Sequence, residues 1–283
     1  MTVVTLPEIM NPAFENRYGV PAFNAVDDIT MDGLIQGAQE SHSPLIIQIS
    51  VKTIKFWGAK VIKEMFSNMA ERVSVPVTLH LDHCPEPEVA QECLRLGWNS
   101  VLFDGSELSF EENFRTTQEM TQYAAQYGAH VEGEVVAVAG VEDDMGSDTE
   151  GQLISVDKAI TFVKETGIYC YAPAIGTAHG FYQAVPEIRY DRMQQLVETT
   201  NTPMVLHGGS GLTDDVFQRL IALGTAKVNI STALKQAYAD SFRTYLEKRP
   251  TEYNPLKLIG AVHSDVIQLA QYYFKLFGSE GKA

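Results

Sequence analysis

The chain has 283 residues, of which 45% are hydrophobic and 20% charged; these are the values of an ordinary globular protein and exclude disorder, fibres and coiled coil. Lys and Arg number 21 against 36 Asp and Glu, and the net charge of −15 repels a nucleic-acid backbone or an anionic membrane surface, so neither is an expected partner. Cys84, Cys93 and Cys170 are too sparse and odd in number for a disulfide framework, no run approaches ~18 apolar residues, and the N-terminus lacks a basic segment leading into an apolar one, so the expected setting is cytoplasmic and reducing.

Short Val-, Ile- and Leu-rich runs predict strands at 19–23, 44–49, 76–81, 99–103, 130–135, 169–174, 203–206 and 226–230. Between them apolar residues recur at three- and four-residue spacing, as in Met31, Leu34, Ile35 and Ala38, in Val89, Cys93 and Leu96, or in Val156, Ile160 and Val163. Helix starts are marked by Asp27-Asp28, by Ser155-Val156-Asp157 and by Thr213-Asp214-Asp215. Strands apolar nearly throughout and alternating with helices predict an α/β fold, a single (β/α)8 TIM barrel spanning 1–283, with a doubly wound sheet as the alternative. Two further amphipathic stretches, separated by a break at Pro250–Pro255, form a C-terminal helical extension from about 234 to 283, either as core cover or as a subunit interface. The stretch 138–152, rich in Gly and Asp, reads as a long loop after the fifth strand.

In such a barrel the reacting groups sit where strands end. His83, His179 and His207 each fall just past a strand on the same rim, which is how residues far apart in sequence become three imidazole ligands around an open zinc position. An ion held by three neutral nitrogens keeps its full charge and polarises a carbonyl. Asp82, adjacent to one proposed ligand, is a candidate to move a proton on bound substrate, or else a carboxylate supporting a ligand. His80 is expected to pack or to orient a ligand. Glu132 and Glu134 share a face of strand five, where an unpaired carboxylate is costly and a nearby cation would relieve it. Gly208-Gly209-Ser210-Gly211 and Asn229-Ile230-Ser231-Thr232, each followed by a helix, read as two anion-binding loops after strands seven and eight.

The segments LHLDHC, SVLFDGS, VEGEV, GVEDDM, IGTAHGFY, VLHGGSGL and KVNISTAL resemble, in order and spacing, those of the class II metal-dependent ketose-bisphosphate aldolases, most strongly from about 76 to 235. The resemblance implies a homodimeric or homotetrameric barrel that cleaves a ketose 1-phosphate sugar reversibly to dihydroxyacetone phosphate and an aldehyde, with one catalytic Zn2+ per subunit. It places His83, His179 and His207 on the zinc, Asp82 as the proton-transferring acid and Glu134 as the auxiliary metal-site glutamate. It further implies that Glu142 exchanges the proton at the substrate carbon, that Gly180, Gly208, Ser210, Asn229, Ser231 and Thr232 hold phosphate, and that a monovalent cation accompanies the phosphate.

The departures from the family pattern bear on substrate. Where many members carry Asp-Pro-Arg, whose arginine reaches the C6 phosphate, this chain has Asn254-Pro255-Leu256. At the end of strand two the usual Ser-Glu-Gly becomes Ser50-Val51-Lys52, and Tyr-Lys-Gly after the second zinc histidine becomes Tyr182-Gln183-Ala184. A leucine cannot hold a phosphate. The expectation is a site whose dihydroxyacetone phosphate half is intact and whose far end takes an aldehyde with another anion, such as the sulfonate of sulfofructose 1-phosphate, with Lys52 as a contact. The alternatives are that Lys52 points to solvent and another cation serves fructose or tagatose 1,6-bisphosphate, or that the chain binds sugar phosphate without turnover.

Overall fold

All eight expected barrel strands are present in the computed structural model, which describes residues 2–136, 140–142, 145–147, 153–180 and 186–283. They are β1 (Val20–Asn24), β2 (Leu45–Ser50), β3 (Val77–Cys84), β4 (Ser100–Asp104), β5 (His130–Glu134), β8 (Cys170–Ala172), β9 (Met204–Leu206) and β10 (Thr225–Ile230), joined side by side and all parallel. Closure is made by β1, which pairs with β2 (Ala22 opposite Ile46) and with β10 (Ala22 opposite Asn229). The doubly wound alternative is thereby set aside. The loop expected after the fifth strand contains a short antiparallel hairpin, β6 (Gly140–Glu142) and β7 (Met145–Ser147). The sixth barrel strand is shorter than the expected 169–174 and ends at Ala172, because Pro173 has no N–H to donate to a ladder.

The helices, in order, are α1 (Leu6–Asn16), α2 (Asp28–Glu40), α3 (Val51–Trp57), α4 (Ala59–Ala70), α5 (Pro87–Arg95), α6 (Phe110–Ala125), α7 (Val156–Thr166), α8 (Tyr190–Thr200), α9 (Asp214–Leu223), α10 (Thr232–Lys248) and α11 (Pro255–Leu276). The expected starts hold with one qualification: Asp27 accepts from Thr30 N (2.8 Å) and Ser155 from Lys158 N (3.3 Å), whereas Thr213 caps α9 without a side-chain bond. Helix α1 has helical apolar spacing in Leu6, Ile9, Met10 and Ala13, obscured only by Pro12 within it, and a Thr5-x-x-Glu8 capping box in which Glu8 accepts from Thr5 N at 2.7 Å. Among the described residues no helix is long and apolar enough to cross a membrane.

The strands are buried on both faces, yet the two faces differ. Leu45, Ile47 and Ile49 of β2 and Val77, Leu79 and Leu81 of β3 face the helices and join the large outer core. The alternate positions face the barrel axis. Toward the N-terminal end these are apolar, with Val20, Ala22, Ile46 and Val205 packed on Leu6, Ile9 and Met10 of α1, which stoppers that end. Toward the C-terminal end they become Asn24, Gln48, His80, Asp82, Ser100, Glu132, Lys227 and Asn229, all buried. The inner column of the barrel thus runs from oil to charge, and the charged end is the one that carries active sites in this architecture.

For α11 the core-cover reading is the one observed: Val262, Val266, Ala270 and Phe274 are buried, and Phe274 meets Phe23 of β1 edge-on at 6.1 Å. The helix lies against α2 at Gly33, where an added Cβ would stand 2.9 Å from Val266 Cγ1 and 3.2 Å from Val266 Cβ. Gly33→Leu is therefore expected to destabilise the fold by about 1–3 kcal/mol through overpacking, read as a lower urea midpoint with unchanged slope.

Candidate active site

Asp82 and His83 are adjacent in β3, and adjacent side chains of a regular strand point to opposite faces. Two features of this strand bring both to the barrel mouth. Its pairing with β4 shifts register between Leu81 and Cys84, and His83 adopts φ +41°, in the left-handed region that a bulky residue enters only under constraint. Such backbone strain costs of order 1–3 kcal/mol and clusters at functional positions.

His83 meets His179, which follows β8, and His207, which follows β9, with ring centroids 5.1 and 4.7 Å away. One ring nitrogen from each of the three lies within 4.8 Å of the others. The second nitrogen of two rings is tied to a carboxylate: His83 Nδ1 to Asp104 Oδ2 and His207 Nε2 to Glu132 Oε1, both at 2.7 Å. Asp104 is itself held by Ser106 N (3.1 Å) and Ser106 Oγ (2.6 Å). Burial pushes the Asp104 carboxyl up, but the His83 hydrogen bond and charge and the Ser106 contacts outweigh it, so the group stays well below the usual carboxylate range.

Among the described residues, nothing hydrogen-bonds His83 Nε2 or His207 Nδ1, although both are buried. Glu134 Oε2 is 3.1 Å from His207 Nδ1 without hydrogen-bond alignment. Two buried, oriented imidazole nitrogens without hydrogen-bond partners, facing a third imidazole and backed by carboxylates, fit a divalent metal held by three histidines. Glu134, the auxiliary metal-site candidate, borders the same space.

Asp82 is 2% exposed and accepts hydrogen bonds from three amides: Asn24 Nδ2 (2.7 Å) and Gln48 Nε2 (3.4 Å) on Oδ2, and Asn229 Nδ2 (3.3 Å) on Oδ1. Below it, Glu132 is fully buried between His207, Lys227 (Nζ to Oε2, 2.9 Å) and His80 (Nε2 to Oε2, 3.6 Å). The cation expected to relieve a carboxylate on strand five is thus Lys227, and it relieves Glu132. Burial raises this carboxyl, and Lys227 with the His207 hydrogen bond more than reverses the rise, leaving it well below the usual range. His80 is pushed down to about 3 by burial, helped by Lys227, so it stays neutral while bonded through Nδ1 to Ser100 Oγ at 2.8 Å.

The two loops proposed for phosphate line one cleft with His179: Gly180, Gly208, Gly209, Ser210, Asn229, Ser231 and Thr232. Gly208 has φ +67°, and a Cβ there would fall 2.5 Å from Ala178 O, so no other residue fits without moving the loop. Ser210 Oγ accepts from Ala233 N (3.2 Å) in the first turn of α10, stitching the loops together. Ser231 Oγ is buried and, among the described residues, has no hydrogen-bond partner. With no Lys or Arg in the lining, an anion here is met by backbone N–H groups, hydroxyls and the start of α10. Ile230 is the last residue of β10 and faces the outer core rather than this cleft.

Two strands round the barrel from β10, Ser50 stands beside Asp82 in the sheet register and caps α3 by accepting from Thr53 N (3.4 Å). Lys52 follows on an exposed position of α3. Leu256 is 78% exposed in the first turn of α11, and Asn254 accepts from its N–H at 3.0 Å. The backbone of Glu142 belongs to β6, but its side chain lies outside the described residues, as do Tyr182, Gln183 and Ala184. Asp104, Asn24, Gln48 and the role of Lys227 were not anticipated; their signal is a polar residue at the inward phase of an otherwise apolar run, as in LIIQIS.

The parallel eight-stranded barrel thus brings together, at its C-terminal mouth, three histidines that could hold a metal ion, a hydrogen-bonded carboxylate and a small polar cleft, the place where barrels of this kind carry active sites. The family profile described as fructose-bisphosphate aldolase class II matches residues 4–282. The chain is 35% identical to the sulfofructosephosphate aldolase of Alkalicoccus urumqiensis, covering 100% of this chain and 99% of that one. It is 34% identical to the 6-phospho-5-dehydro-2-deoxy-D-gluconate aldolase of Bacillus licheniformis, covering 100% and 97%. In three dimensions it is similar to the YdjI aldolase of Escherichia coli K12, with a TM-score of 0.87, 31% identity and 99% of each chain covered. The chain belongs to the class II fructose-bisphosphate aldolase family and is an aldolase.

If Asp104 orients His83 for a metal, Asp104→Asn should weaken Zn2+ affinity by about 10–100-fold, measured by competition with a chromogenic chelator.

Proposed function

We propose that this aldolase cleaves a ketose 1-phosphate reversibly to dihydroxyacetone phosphate and an aldehyde, using one zinc ion per subunit on His83, His179 and His207 with Glu134 as an auxiliary contact. The observation that carries the reading is the convergence of three histidines, two with buried acceptor nitrogens that nothing described hydrogen-bonds, beside a carboxylate held by three amides. When bound, such an ion supplies Lewis-acid polarisation of the ketose carbonyl. Asp82 takes the proton of the C4 hydroxyl in cleavage and returns it in synthesis. The Asn24, Gln48 and Asn229 amides donate to its carboxylate and keep it aimed. Ser210, Ser231 and Thr232 with Gly180, Gly208 and Gly209 receive the C1 phosphate, and Glu142 is the group assigned to proton exchange at carbon. The three unbridged, buried thiols support a cytoplasmic setting, and the expected assembly is a homodimer or homotetramer.

The three substrates named for the family and its two relatives share a phosphate next to a ketone and differ at the far end: phosphate, sulfonate or carboxylate. An exposed Leu256 where an arginine is usual, with Lys52 on the rim next to Ser50, favours an aldehyde half bearing a sulfonate or carboxylate over one bearing a phosphate.

The test is kcat/KM of the zinc-loaded protein for fructose 1,6-bisphosphate, tagatose 1,6-bisphosphate, sulfofructose 1-phosphate and 6-phospho-5-dehydro-2-deoxy-D-gluconate. A preference of at least about 100-fold, about 2.7 kcal/mol of transition-state discrimination, is expected for a non-phosphate far end. Lys52→Ala should lower kcat/KM for that substrate by about tenfold and leave one without a far-end anion unchanged; equal losses would remove the role given to Lys52. Chelation should abolish activity and zinc restore it, while Asp82→Ala should abolish turnover and leave dihydroxyacetone phosphate binding within about threefold.

A further inference from the structure

Lys227 lies in β10, 0% exposed, inside the barrel and below its mouth. Its ammonium is closed off from solvent and has two partners: Glu132 Oε2 at 2.9 Å and Asn229 Oδ1, to which it donates at 2.7 Å. Neither partner changes bonds in the mechanism above, but each holds a group that takes part in it. Glu132 uses its other oxygen to hold His207 Nε2 at 2.7 Å, and Asn229 donates from Nδ2 to Asp82 Oδ1 at 3.3 Å.

We propose that Lys227 is a positioning residue that ties the metal-site histidine His207 and the proton-transferring Asp82 to a single buried charge. The inference rests on the roles proposed for those two residues. Its physical basis is directional. An ammonium can only donate, so Asn229 must turn its oxygen toward Lys227 and its NH2 toward Asp82. The same ammonium is the one Lys or Arg, among the described residues, paired with the buried Glu132, whose Oε2 otherwise has the His80 ring 3.6 Å away, bonded on its other side to Ser100, and the Cys170 thiol at 3.9 Å. A charged Glu132 makes the His207 hydrogen bond charge-assisted and the imidazole a better ligand.

The experiment compares Lys227→Met with Lys227→Met/Glu132→Gln, reading Zn2+ affinity of the metal-free protein by chelator competition and, separately, kcat and KM at saturating zinc. Lys227→Met is expected to lose about 10–100-fold in zinc affinity and at least about tenfold in kcat, with KM changed less than about threefold. In the double variant the glutamine oxygen still accepts from His207 and no unbalanced charge remains. That hydrogen bond is no longer charge-assisted, so zinc affinity should stay within about threefold of the Lys227→Met value, and kcat should stay low because Asn229 Oδ1 still lacks its donor. If Lys227→Met does not fold, the double variant alone carries the test. Wild-type zinc affinity and kcat in Lys227→Met, recovery of either in the double variant, or failure of the double variant to fold would each overturn the assignment. His207→Ala is measured alongside: unchanged zinc affinity there overturns the ligand reading and the inference with it, whereas a normal loss there beside an unperturbed Lys227→Met overturns the lysine's role alone.

Discussion

The arrangement of this protein depends on a buried charge balance inside a closed barrel. A parallel barrel of eight strands has no water-filled lumen, so each inward side chain must be matched by its neighbours across the axis. At the N-terminal end the match is apolar, with α1 packed beneath Val20, Ala22 and Ile46. At the other end it is ionic: Glu132 and Lys227 face each other on β5 and β10, His207 is hydrogen-bonded to Glu132, and Asp82 is linked to Lys227 through Asn229. Replacing either partner alone leaves a charge in low dielectric, a loss of about 3–5 kcal/mol in comparable buried pairs. The site is therefore bound up with the stability of the barrel itself.

Much of this was legible in the sequence, for identifiable reasons. Strand positions follow from apolar runs, and three histidines just past strands six, seven and three could be read together because a barrel brings all strand ends to one rim. What escaped notice has physical causes too. Helix α1 has regular apolar spacing in Leu6, Ile9, Met10 and Ala13 and a favourable proline at its start, and only the internal Pro12 reads against a helix. The partners of the site residues, Asp104 for His83 on the neighbouring strand and Lys227 for Glu132 across the barrel, depend on strand register and distances that no local pattern encodes. The bulge that lets Asp82 and His83 act on one side is likewise invisible, because the sequence of a regular strand would read the same.

The two halves of the mouth are built differently. The phosphate loops are backbone structures, with glycine conformations and a stitch between Ser210 and Ala233 leaving little freedom to vary. The rim at Ser50, Lys52 and Leu256 is made of side chains on helix starts, where substitution alters chemistry without disturbing the ladder. The relatives, named for fructose-bisphosphate, sulfofructosephosphate and 6-phospho-5-dehydro-2-deoxy-D-gluconate, act on different phosphorylated substrates, and of the two halves the side-chain rim is the one that can change at least structural cost.

The left-handed backbone at His83 also bears on how the metal preference of such a site can drift. Among the described residues, His179 and His207 do not share that conformation. Position 83 thus accepts few alternatives, and of the residues that enter this region readily besides glycine, aspartate is a strong metal ligand. An aspartate there would fit the backbone but not the site: its carboxylate is shorter than the imidazole, does not reach the place of His83 Nε2 and would lie beside Asp104, so the position resists a shift toward oxygen donors and the harder ions they favour.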